Sequence, residues 1–264
     1  MVPALFISHG APDLVLHDTP ERAFLSGLGR ELPRPRAIIS VSAHFETRHP
    51  TVVADPSPGM IYDFRGFPDA LYSMVYPAPG EPELAVRVAE RLGAAGFAAE
   101  RQVQRGYDHG TWVPLSLIYP AADVPVVQLS IQPHEGPEYH WRLGAALRPF
   151  LSEDVLVMAS GSLTHNLRAA FEGGGLAPHD APMAAWADAF GNWVADKVRA
   201  AATEDLLGYR DRAPYAVENH PTDEHLLPLF VAMGAANDDW RGEVLFTGGA
   251  YRVLRMDAFA FEPV

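Results

Sequence analysis

Cysteine is absent from the 264 residues, which excludes disulfides, thiolate zinc sites, iron–sulfur clusters and a cysteine nucleophile. Any metal must therefore sit on His, Asp or Glu. Positive charge is scarce, with 20 Lys and Arg against 33 Asp and Glu and a formal net charge of −13. The mean field repels polyanions, so no nucleic-acid partner is expected. No stretch approaches the roughly 18 consecutive apolar residues of a membrane helix. The N-terminal MVPALFISHG has no positively charged region and reads as a buried strand rather than a signal peptide. The expectation is a cytoplasmic protein with no membrane partner. Apolar residues make up 48% of the chain, ample for a core, with 24 Pro and 22 Gly as punctuation.

Short apolar runs alternate with segments of helical period, the pattern of an α/β layer architecture. Strands are expected at Ala4–Ile7, Ala37–Val41, Val52–Ala54, Val126–Ile131, Val155–Ala159, Glu243–Phe246 and Tyr251–Met256. Helices are expected from Pro20 to about Leu32, from Glu81 through Leu92, and at Tyr139–Leu151, Pro182–Ala202 and Thr222–Met233. Ala37–Val41 and Val155–Ala159 are nearly continuous apolar runs, as in strands covered on both faces, so the central sheet should be mixed and partly parallel, flanked by helices on both faces. The long Pro- and Gly-rich stretches Glu46–Gly80 and Phe171–Ala181 read as binding loops, and Gly173-Gly174-Gly175 as a loop tip. No linker, repeat or charge run divides the chain, and a single domain over 1–264 is expected.

Eleven histidines are the main chemical resource. His9, His44 and His165 each follow closely on an apolar strand, and side chains emitted past adjacent parallel strands converge where open α/β sheets bind ligands. His134 follows Val126–Ile131 in the same way, beside Pro133. A lone histidine at a strand end is more often a hydrogen-bonded structural residue than a ligand; three at equivalent positions bring the metal reading level with it. His17, His49, His140 and His179 sit among charged residues and read as solvated. For His109, in Asp108-His109-Gly110-Thr111-Trp112, pattern alone does not separate a helix-capping role from a site role. His220 precedes Pro221 and so forms no helical i, i+4 chelate with His225. No GxSxG elbow, HExxH motif or GxxxxGK[ST] loop is present.

Ser8-His9-Gly10-Ala11-Pro12, Val41-Ser42-Ala43-His44, Asp63-Phe64-Arg65-Gly66-Phe67-Pro68, Tyr76-Pro77-Ala78-Pro79-Gly80, Asp108-His109-Gly110-Thr111-Trp112, Gln128-Leu129-Ser130-Ile131, Gly161-Ser162-Leu163-Thr164-His165-Asn166-Leu167 and Pro221-Thr222-Asp223-Glu224-His225-Leu226-Leu227-Pro228-Leu229 occur in that order. Together they resemble the class III extradiol ring-cleaving dioxygenases, in particular the DOPA 4,5-dioxygenase-like branch, with a more distant likeness to the catalytic subunit of protocatechuate 4,5-dioxygenase. The resemblance runs from Pro3 to near the C-terminus. It implies His9, His44 and His225 as metal ligands, His165 as an acid/base residue behind them, and His109 as a further histidine that holds substrate or oxygen. In the distant relatives the third ligand is a glutamate, whereas this chain has His225. The resemblance implies Fe(II) as the active metal, and a three-histidine set suits Zn2+ as well. Glu224 is expected on the same helix as His225, where neighbours point about 100° apart, so the two should not share an ion.

The implied reaction inserts both atoms of O2 into a catechol-type ring, giving a muconic semialdehyde, with a small aromatic substrate and O2 as the partners. Triplet oxygen reacts slowly with a singlet catechol, so such chemistry needs a metal with open positions for both. An imidazole with an ordinary pKa of about 6.5 suits the proton steps. Two other readings stand beside it: a zinc hydrolase, since three neutral histidines on Zn2+ would bring bound water toward a pKa of about 7, and a non-catalytic metal-binding protein. Arg65 and Arg168 are equal candidates to receive a substrate carboxylate, and each reads at least as readily as one half of an ordinary surface ion pair. No heptad or apolar stripe decides between monomer and homodimer.

Overall fold

The computed structural model describes residues 2–172, 174–236 and 238–264; Gly173 of the expected loop tip lies outside them. Ten strands are described: β1 (Ala4–Ser8), β2 (Ala37–Glu46), β3 (Thr51–Val53), β4 (Glu100–Gln102), β5 (Val126–Ile131), β6 (Val155–Gly161), β7 (Trp240–Phe246), β8 (Gly249–Ala250), β9 (Leu254–Arg255) and β10 (Ala258–Pro263). The helices are α1 (Pro20–Glu31), α2 (Pro82–Ala94), α3 (His109–Ile118), α4 (Pro137–Leu151), α5 (Leu167–Ala170), α6 (Ala185–Arg199), the short α7 (Thr203–Leu207), α8 (Tyr209–Arg212) and α9 (Ala216–Asn219), and α10 (Leu227–Ala236).

Eight strands form one mixed sheet in the order β4-β3-β5-β2-β6-β1-β10-β7. Its centre, β5-β2-β6-β1, is parallel throughout, while β10 runs antiparallel to both β1 and β7. This is the expected α/β architecture, and its physical basis is visible along each central strand. On β1, Ala4 and Phe6 face the core under α2, α4, α6 and α10, while Leu5 and Ile7 face the core under α1 and α3. Both faces of a central strand are apolar because both are covered, so its sequence runs apolar without alternation.

The C-terminal edge departs from expectation. Tyr251–Met256 is not one strand: Tyr251 and Arg252 take left-handed conformations at φ 52° and 69° and turn the chain between β8 and β9. The strand that completes this edge is β10, whose Ala-Phe-Ala-Phe alternation carries the period of two. Residues 221–226 form turns rather than the first turn of a helix, and α10 begins only at Leu227. Among the described residues no helix is long and apolar enough to cross a membrane.

Candidate functional site

The four parallel strands end on the same side, and the chain leaving them carries the histidines. His9 follows β1 directly, with its backbone N–H donated to the carbonyl of Gly161 at 3.0 Å. Gly10, at φ 67°, then turns the chain away, a conformation that favours glycine. His44 lies on the last turn-out of β2, where the register against β5 slips between Val41 and Glu46, an irregularity of the kind that re-aims side chains. His225 sits in the turn before α10, and Ser162 at the end of β6 donates its N–H to the His225 carbonyl at 2.9 Å. Gly161 allows that approach, because a Cβ there would collide with the same carbonyl. His165 lies beyond β6, tied to the carbonyl of Asn219 at 2.9 Å. His109 opens α3, whose N-cap is Asp108.

All five expected residues come together on one cavity of about 340 Å³. Donor nitrogens of His9, His44 and His225 lie within 4.8 Å of one another. What their rings present is set by what stands behind them. Ser160 donates its one hydroxyl proton to the carbonyl of Gly110, so its oxygen accepts from His9 Nδ1 at 3.0 Å. Glu224, acceptor only as a carboxylate, takes the Nδ1 proton of His225 at 2.8 Å. Asp63 lies 3.5 Å from His44 Nδ1. Nδ1 of His9 and of His225 is thus a donor, and their Nε2 atoms carry lone pairs toward the common centre that His44 shares. His9 Nε2 and His44 Nε2 face each other at 3.1 Å, and His225 Nε2 is buried with no hydrogen-bond partner. An orphaned buried acceptor costs energy, and a cation between these nitrogens would relieve it.

Electrostatics point the same way. Burial, helped by the neighbouring histidines, drives His9 and His225 well below the ordinary imidazole range. Burial also lowers His44 to about 4, against a partial upward pull from Asp108 and Asp63. The three rings are therefore neutral at pH 7, the state a metal needs. Three neutral imidazoles fit a divalent first-row metal such as iron or zinc without selecting between them. Two other donor groupings, His44–Asp63–His109 and His165–Glu224–His225, are equally close, but in both the shortest approach is a hydrogen bond with a proton already between the atoms.

Asp63 was visible only as part of a motif, and no spacing in the sequence assigned it a task. It accepts from both the backbone N–H and Nδ1 of His109, at 3.2 and 2.8 Å. Burial raises its carboxyl, but the His109 hydrogen bond and the charges of His109 and His44 outweigh this and bring it down to about 2. Glu224 corrects an expectation. Because 221–226 is a turn, its carboxylate sits behind His225, and it also lies 3.7 Å from His165 Nδ1. The His165 and His225 rings stack at 3.4 Å between centroids. Burial chiefly lowers His165 to about 4, while Glu224 pulls it up.

The other histidines stay outside. His134 is exposed and lines a separate depression. His220 is buried and points at the carbonyl of Leu163 at 2.8 Å. His140 is not solvated as expected: its Nε2 accepts from Gln132 N–H at 3.1 Å and its Nδ1 donates to the Gly136 carbonyl at 2.9 Å, deep between α4 and β5. His17 is exposed, and His49 and His179 are half-buried.

Comparison with known proteins bears on this arrangement directly. Residues 4–254 match the family described as the catalytic LigB subunit of aromatic ring-opening dioxygenase. The chain is 40% identical over 260 residues to the 4,5-DOPA dioxygenase extradiol of Beta vulgaris, covering 97% of this chain and 95% of that one. It is 39% identical over 245 residues to the protein of the same name from Escherichia coli (strain K12), covering 92% and 86%. A crystal structure of an Escherichia coli K12 protein, described only as uncharacterized, superposes with a TM-score of 0.79 at 32% identity, covering 98% and 99% of the two chains. The chain belongs to this aromatic ring-opening family of class III extradiol dioxygenases, whose members are metal-dependent enzymes.

Proposed function

We propose that this chain, acting as one catalytic domain over 1–264, inserts both atoms of O2 into a catechol-type ring, DOPA-like substrates included, to give a muconic semialdehyde. Nε2 of His9, His44 and His225 would hold Fe(II), with Zn2+ able to occupy the same donors. The observation that carries this reading is the convergence of three histidine donor nitrogens, two of them oriented by a hydrogen bond on Nδ1. Bound there, Fe(II) supplies the electronic coupling between triplet oxygen and an aromatic substrate that neither partner has alone. The rest of the work falls to the protein.

His165 is neutral at pH 7 and can accept a catechol hydroxyl proton, with Glu224 beside it to favour the imidazolium that results. The same group then returns the proton as the ring opens. His109 has Nδ1 committed to Asp63, which leaves Nε2 as the atom that meets a substrate or oxygen atom at the centre. Its ring lies 3.9 Å from that of His44 and 5.3 Å from that of His9. Phe64, packed edge-on against His109, and Phe67 make the cavity wall apolar and limit water at the reacting ring.

Protein stripped of metal, reloaded anaerobically with Fe(II) and offered a panel of catechols should consume O2 stoichiometrically and form a yellow product. Full iron occupancy with no uptake on any catechol would overturn the proposal, and oxygen-independent turnover with zinc would replace it with hydrolysis.

A further inference from the structure

We infer that Arg65 selects for substrates bearing a carboxylate, its guanidinium receiving that group at the wall of the histidine cavity. The inference rests on the proposed ring opening and adds to it the chemistry of the substrate's tail. Arg65 lines the cavity and is exposed, and no other lysine or arginine lines it among the described residues. Sequence alone left Arg65 and Arg168 equal; the structure separates them, since Arg168 lies on α5 and only its neighbour Leu167 reaches the cavity.

The guanidinium has no ion-pair or hydrogen-bond partner among the described residues. Two carboxylates share the cavity, yet neither neutralises it: Asp13 pairs with His17 at 3.1 Å, and Asp63 is held by His109 and His44. The remaining wall is largely apolar, with Phe64, Phe67, Leu167, Phe171 and Leu176 turned to it. In a chain of net charge −13, one unpaired guanidinium against an apolar wall is the local feature that favours an anion there. A planar fork matches a carboxylate in two parallel hydrogen bonds, and weak hydration makes the exchange of water for substrate cheap.

Arg65 is also close in chain to residues that touch the histidines. It is two residues from Asp63, hence within about 7 Å of it along the backbone, and it follows Phe64, whose ring lies 5.9 Å from that of His109. In the proposed pose the aromatic acid lies with its ring over the histidines and its carboxylate at the part of the cavity wall that Arg65 lines.

The test compares 3,4-dihydroxyphenylpropanoate with 4-methylcatechol on wild type, Arg65→Gln and Arg65→Lys, measuring calorimetric Kd on anaerobic Fe(II)-loaded protein as well as kcat/KM. In Arg65→Gln the preference for the acid over the neutral catechol should fall about tenfold in both measurements, carried by KM rather than kcat, and Arg65→Lys should restore part of it. An unchanged preference, or an equal loss for both ligands, overturns the inference. The two readings fail separately: Arg65-dependent binding of the acid without oxygen uptake would remove the ring opening and leave the carboxylate site standing. Oxygen uptake with no Arg65-dependent preference would do the reverse.

Discussion

At the scale of single residues, the site is a problem of proton placement. An imidazole offers a metal only the nitrogen it has not protonated, so Ser160 and Glu224 decide what His9 and His225 present, while Asp63 stands 3.5 Å from His44 Nδ1. Glu224→Ala should weaken metal retention roughly 10- to 100-fold, with Glu224→Gln intermediate because an amide oxygen still accepts from His225 Nδ1. Chelator competition on folded protein measures this, and unaltered retention in Glu224→Ala would remove the carboxylate from the account. His165→Ala should instead keep the metal and lose turnover by about 10²- to 10⁴-fold, read from metal analysis beside kcat. Strand-end context marked His9, His44 and His165, whereas His225 and His109 were reached only through the family resemblance. Their carboxylate partners were not legible: Asp63 reaches His109 across 46 residues of chain, and Glu224 depended on whether 221–226 was helix or turn. His140 misled because charged neighbours in sequence say nothing of the face on which a helix buries its residue.

Among elements, strands β1, β2, β5 and β6 could be read from sequence because both faces are covered and the residues are uniformly apolar. The edge was harder. Tyr251–Met256 has the residues of a strand, and only the left-handed pair at Tyr251 and Arg252 breaks it. The seating of His225 depends on α10, which crosses α4 with backbones close together: a Cβ on Gly144 would collide with the Val231 carbonyl, and one on Gly234 with the Trp141 carbonyl. Gly144→Ala should therefore cost about 1–3 kcal/mol and lower Tm by roughly 2–4 °C for each kcal/mol in a chain of this size. Thermal unfolding followed by circular dichroism measures it; an unchanged Tm would mean the helices separate freely.

For the molecule as a whole, histidines buried as neutral bases set the acid limit, and two of them, His140 and His220, stand apart from the expected ligands. Burial chiefly holds His140 at about 4 and His220 at about 3, each against an upward pull from a carbonyl hydrogen bond. In the unfolded chain both return to about 6.5. Between those values the unfolded state binds more protons, so stability is complete above about pH 6.5 and is lost as pH falls toward 4, at up to roughly 1.4 kcal/mol per pH unit for each group. Urea midpoints of metal-free protein should drop from pH 8 to pH 5, and less so in His140→Gln; a flat profile would contradict the burial of these rings as neutral bases.

The most direct test of the central claim is the fate of oxygen. Fe(II)-loaded protein should be run under ¹⁸O₂ with a catechol, the product reduced at once with borohydride to stop aldehyde exchange, and its mass recorded. The account predicts two heavy oxygen atoms in the opened product. A product carrying none, or oxygen taken from water alone, would contradict it.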